Sequence, residues 1–184
     1  GSIDPFLNFY VQGKSYPFVS RDELNEQIYP MRRKFSSYAA YADATMADIL
    51  SPADLAKAQK LTVNETKTML YINQHGKFKA AALPIQAQFS VVSQILTGDF
   101  DHDGSTDILL LGNHSDNRLK LGSFDANYGC LLKGDGKGGF KYVDQSASGL
   151  SVIGDVKSAV ETNINNVPYL LIGLNDGPLQ FYKE

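Results

Sequence analysis

Hydrophobic and polar positions divide the chain into two unlike parts. Phe6 to Val11 and Ser15 to Val19 are rich in aromatic and β-branched residues. The turn Gln12-Gly13-Lys14 separates them, which predicts a β-hairpin. At Ser20 the period lengthens. Ser20-Arg21-Asp22-Glu23 is a capping box, and Leu24, Ile28 and Met31 follow at helical spacing, with Pro30 forcing a kink or a restart. A second helical stretch is expected from about Tyr38 to Leu50. A third opens at Ser51-Pro52, a cap followed by proline in the first turn, and runs to about Gln59.

From Leu61 onward the pattern is that of strands. Thr68 to Asn73, the turn His75-Gly76 and Lys77 to Ala82 read as a hairpin. Val91 to Thr97 and Ile108 to Gly112 flank an acidic loop, and Tyr128 to Lys133 and Phe140 to Val143 flank the turn GDGKGG. Val156 to Thr162, Tyr169 to Leu174 and Leu179 to Tyr182 complete the series. Short strands at this spacing predict a mainly β, antiparallel protein.

Two segments echo one another. Gly104-Ser105-Thr106-Asp107 before ILLLGN matches Gly1-Ser2-Ile3-Asp4 before PFLNFY. Tyr128 to Lys133 with Gly139-Phe140-Lys141 parallels Met69 to Asn73 with Gly76 to Lys79. A repeated unit of about four strands is the pattern of a β-propeller blade, although a plain β-meander would share its turns. The expected architecture is one domain over 1–184: a partial β-propeller of about two and a half four-stranded antiparallel blades with an inserted helical block. Blade 1 would take strands from 4–19 and 61–84 with the helical insertion 20–60, blade 2 would span 86–145, and a partial blade 3 would span 152–184. The first copy starts partway through its unit, so the chain is expected to be a piece of a longer one. Its open blade edges would need covering by the helical block or by self-association.

Composition narrows the function. The formal net charge of −3 argues against nucleic acid, which calls for a basic face. No apolar run is long enough for a transmembrane segment. The single cysteine, Cys130, excludes an internal disulfide framework and any zinc cluster built on cysteine pairs.

The strongest chemistry lies in Asp99-Phe-Asp101-His-Asp103-Gly104-Ser105-Thr-Asp107. Alternate spacing brings carboxylates toward one point, where like charges repel unless a cation neutralises them. Gly104 permits the positive-φ bend, and the Ser105 carbonyl would add an oxygen. Hard oxygen donors without a Cys or His cluster select calcium over zinc or copper, and the predicted metal ligands are Asp99, Asp101, Asp103, Ser105 and Asp107. An EF-hand opens in the same way, but it needs a glutamate where Leu110 stands and helices where these flanks read as strands. The plainer alternative is a solvated acidic turn.

At these residues the sequence resembles the FG-GAP/VCBS-type calcium-binding propeller repeat: strand, DxDxDGxxD, strand, then YGCLLKGDGKGGFKYVD. The segment QGKSYPFVSRDEL, the helical block and LYIN further resemble the C-terminal part of bacterial repeat proteins associated with ASPIC/UnbV domains. The resemblance covers most of the chain and is most specific over 9–24 and 86–143. It implies Ca2+ held by Asp99, Asp101, Asp103 and Asp107, with Ser105 as a backbone ligand. The first copy keeps only Asp4, and the last unit has Asn163-Ile-Asn165-Asn166 in place of the motif.

Other motifs lead elsewhere. GDGKGG fits the letters of a dinucleotide loop but precedes a strand, so a hairpin turn is expected. His75, His102 and His114 are scattered over turns, and Cys130 sits mid-strand as a small apolar residue. Tyr29, Phe35, Tyr38 and Tyr41 beside Arg32, Arg33 and Lys34 could bind a sugar or a partner chain, or simply pack the helical block. The expected function is a non-catalytic, calcium-binding interaction or scaffold segment of a secreted or cell-surface bacterial protein, extracellular or periplasmic, with a protein or glycan partner. The alternative is a carbohydrate-binding or carbohydrate-active propeller module using a cleft near the helical insertion.

Overall fold

The computed structural model describes residues 3–183, so Gly1 and Ser2 of the N-terminal echo lie outside the described residues. The chain divides into two compact units, one up to Val63 and one from Asn64.

The first unit holds a hairpin, β1 (Asn8–Val11) with β2 (Lys14–Pro17), followed by five short helices. Helix α1 (Arg21–Gln27) starts at the capping box: the Ser20 hydroxyl accepts from the Glu23 amide, and the Glu23 carboxylate accepts from the Ser20 amide at 2.7 Å. Pro30 then caps α2 (Met31–Lys34), the restart that its missing N–H dictates. The expected second helix is instead two single turns, α3 (Tyr38–Tyr41) and α4 (Met46–Ile49). Thr45 and Asp48 form a new capping box there, so the backbone restarts rather than continues. Ser51 caps α5 (Pro52–Lys57) with proline in its first turn. Leu24, Phe35, Ala44, Met46 and Ile49 form this unit's core.

The second unit is antiparallel β. β3 (Met69–Gln74) pairs with β4 (Lys77–Ala82). β5 (Val92–Gly98), β6 (Asp107–Gly112), β7 (Cys130–Gly134) and β8 (Phe140–Tyr142) form a four-stranded sheet in chain order. A one-turn helix, α6 (Gln145–Ser148), follows, and β9 (Val156–Ile164), β10 (Val167–Leu174) and β11 (Gln180–Lys183) make a three-stranded sheet. Among the described residues no ladder joins β2 to β3, so the strands expected to make up blade 1 lie in two separate two-stranded sheets. No closed ring of sheets is formed by the described strands.

Strand β6 is buried along its whole length, which explains its unbroken apolar sequence. Leu109 and Leu111 pack against Val152, Val156, Leu170 and Ile172 of the three-stranded sheet and the segment leading to it. Ile108 and Leu110 face the opposite way, with Cys130, Leu132 and Ala87, and Leu70 of β3 packs on that side. The four-stranded sheet is thus covered on both faces. Burial of these side chains, at about 25 cal/mol per Å² of apolar surface, is what holds the acidic loop's two flanking strands in place.

The long connection between β6 and β7 is pinned by buried amides. Asn113 Nδ2 donates to the Asn127 carbonyl at 2.8 Å, and Asn127 N donates back to Asn113 Oδ1 at 3.0 Å. Among the described residues no helix is long and apolar enough to cross a membrane.

Candidate metal centre

The acidic loop joins β5 to β6, so its flanks are strands and the EF-hand alternative fails on geometry as well as on sequence. Register fixes the loop's two ends side by side, because Gly98 pairs with Asp107. Positive φ at His102 (58°) and Gly104 (86°) turns the chain tightly enough for side chains to converge.

Asp107 is 1% exposed. Its Oδ2 accepts from the Phe100 amide at 3.1 Å and its Oδ1 from the Gly134 amide at 2.8 Å, tying the loop's start and the end of β7 to one carboxylate. Asp99 accepts from the amides of Asp103 and Gly104, each at 2.9 Å. Asp101 Oδ1 accepts from the Asp103 amide at 3.3 Å. One carboxylate oxygen from each of Asp99, Asp101 and Asp107 lies within 4.8 Å of the other two.

That spacing could hold a metal ion. Oxygens bound at about 2.3–2.6 Å to one centre are at most about 5 Å apart. The donor set is all hard oxygen, and a carboxylate as buried as Asp107 favours a nearby cation. The structure therefore brings three of the predicted carboxylates together.

Asp103 stands apart from that trio. Its Oδ2 pairs with Lys133 Nζ at 2.8 Å, and its Oδ1 accepts from the Ser105 amide at 2.8 Å. These contacts, Lys133 first, hold the Asp103 carboxyl below the usual carboxylate range. Ser105 is half-buried, with Oγ toward Gly136 in the β7–β8 turn. Lys133 also bonds Asp101 Oδ2, and the two carboxylates push its ammonium pKa above the ordinary lysine value.

Sequence reasoning missed two residues of this site. Lys133 lies 26 positions beyond Asp107, and only the pairing of β7 with β6 carries it to the loop. Gly134 was legible as part of a turn but not as a partner of Asp107. A Cβ at Gly134 would stand 2.1 Å from the Thr106 carbonyl oxygen, so a side chain there would push the loop away.

The other motifs have structural places. GDGKGG is the β7–β8 hairpin turn, closed by Asp135 Oδ1 accepting from the Lys137 and Gly139 amides at 2.8 Å, which lowers the Asp135 pKa. Cys130 is buried, and burial pushes its thiol up to about 11. Asp144 caps α6, and Asp155 is buried against the Ser115 amide. In the first unit Phe35 is buried, whereas Tyr29 and Tyr38 are 71% and 67% exposed beneath the guanidinium groups of Arg32 and Arg21.

Compared with family models, curated proteins and solved structures, the chain matches none of them.

Proposed function

We propose that this chain is a non-catalytic, calcium-binding repeat segment of β-propeller type, serving interaction or scaffolding at a secreted or cell-surface location. The observation that carries the reading is the convergence of Asp99, Asp101 and Asp107 oxygens within 4.8 Å, with the Asp107 carboxylate buried. The four-stranded meander β5 to β8, stacked between neighbouring strands on each face, supports the blade assignment. In this reading, β9 to β11 belong to the next blade and the ion fixes the hairpin loop at one end of β5 and β6. Asp103 and the Ser105 carbonyl complete the coordination once the ion enters.

Modules of this kind outside the cell bind calcium with dissociation constants of about 10⁻⁴–10⁻³ M. At about 1 mM calcium and a constant near 0.1 mM, binding stabilises the fold by about 1.4 kcal/mol. Such a site is nearly empty at cytosolic calcium, which favours an extracellular or periplasmic place. The test is isothermal titration of calcium into metal-stripped protein together with thermal melting. Saturable binding in that range with a higher melting temperature is expected. Absence of binding at 10 mM calcium, on the order of ten times the weakest constant in that range, overturns the reading.

A second reading, glycan binding, rests on the first unit alone. Exposed Tyr29 and Tyr38 stand close to a polar depression lined by Arg21, Asp22, Asn25, Glu26 and Arg32. The buried Asn25 Oδ1 has no partner there. A melting shift that depends on a glycan rather than on calcium would favour it.

A further inference from the structure

We infer that Lys133 is the acidic loop's internal counter-cation, and that a divalent ion binds by displacing its ammonium group from Asp101. The inference rests on the calcium reading above and adds to it what sets the affinity of that site.

Lys133 Nζ bridges Asp101 and Asp103, one residue inside the trio of converging oxygens and one outside it. Asp99 and Asp107 direct their oxygens at backbone amides, which a bound cation tolerates because each oxygen keeps free lone pairs. Asp101 differs, since its Oδ2 is already paired with a full positive charge. An ammonium and a calcium ion cannot share that oxygen closely, as like charges about 4 Å apart repel even near the protein surface.

The register around Lys133 bears on the same point. It stands directly opposite Lys141 in the β7–β8 pair, and two lysines so placed repel one another. Turning Lys133 toward the loop relieves that repulsion and neutralises part of the acidic cluster when no ion is present. Its side chain remains 43% exposed, so the head can swing back into solvent without being buried.

Three consequences follow from one substitution of charge. The ion-free loop is preorganised rather than splayed by repulsion, the site becomes weaker than its carboxylate count implies, and binding requires the exchange of one cation for another. Removing the ammonium should therefore tighten calcium binding by about three- to tenfold, the scale of an exposed ion pair made to two carboxylates.

The experiment is calcium titration calorimetry on the metal-stripped full chain, comparing wild type with Lys133→Met and Lys133→Gln. Met keeps the apolar stem and Gln keeps a polar head, so a shared gain assigns the effect to charge. Circular dichroism checks that each variant folds. Tighter binding by both Lys133→Met and Lys133→Gln than by wild type supports the inference. Unchanged or weaker binding by variants of a wild type that does bind overturns the inference and leaves the calcium reading standing. Failure of the wild type to bind overturns the calcium reading, and the inference falls with it.

Discussion

The Gly134 amide donates to Asp107 Oδ1 at 2.8 Å, joining the last residue of β7 to the first residue of β6. The same glycine leaves room for the Thr106 carbonyl, which a Cβ would meet at 2.1 Å. One position thus supplies a hydrogen bond to the buried carboxylate and the space that lets the loop reach it.

Gly134→Ala should therefore destabilise the second unit by about 1–3 kcal/mol through forced displacement of backbone. It should also weaken calcium binding although alanine carries no charge. Chemical denaturation and calorimetry on one preparation measure the two effects, and an alanine variant indistinguishable from wild type would contradict the close approach.

Asp107→Asn keeps the volume but turns an acceptor-only group into one with an amide donor. Phe100 N and Gly134 N each need an acceptor, so one amide loses its partner at a cost of about 1–3 kcal/mol. Calcium binding should fall by at least about tenfold, the factor for 1.4 kcal/mol. Asp103→Asn, outside the converging trio, should weaken binding less than Asp107→Asn does.

The Ser115 amide, joined by the Ser115 hydroxyl, holds the Asp155 carboxyl below its usual pKa. A depressed folded-state value adds stability above the unfolded carboxylate pKa of about 3.9, and that stability is lost as pH falls through the folded value. Asp155→Asn should show a smaller loss of denaturation midpoint than wild type between pH 5 and about pH 3. Equal losses would mean that Asp155 has no part in acid unfolding.

Cys130 should resist thiol reagents at neutral pH in the folded chain, since its thiol is buried and raised to about 11. Labelling should become fast only in denaturant. Rapid stoichiometric labelling of the native protein would show that β7 opens far more readily than its packing implies.

Much of the secondary structure is written locally. The helix starts at Ser20 and Ser51 are legible because caps act within three residues, and the hairpins are legible because glycines and asparagines at their turns accept positive φ. The single helix expected from Tyr38 to Leu50 fails for the same kind of reason: the Thr45-Asp48 box is a stronger local signal than the apolar spacing around it.

The acidic spacing by itself pointed to four converging carboxylates, Asp99, Asp101, Asp103 and Asp107; the bend at Gly104 brings Asp99, Asp101 and Asp107 together and leaves Asp103 outside. Tertiary structure decided the rest. Which carboxylate is buried, which one a lysine holds and which glycine lets the backbone pass depend on β7 lying beside β6, a pairing of residues twenty or more positions apart. Local propensity acts over a turn or two and carries no information about such contacts; they are set by which apolar faces bury one another.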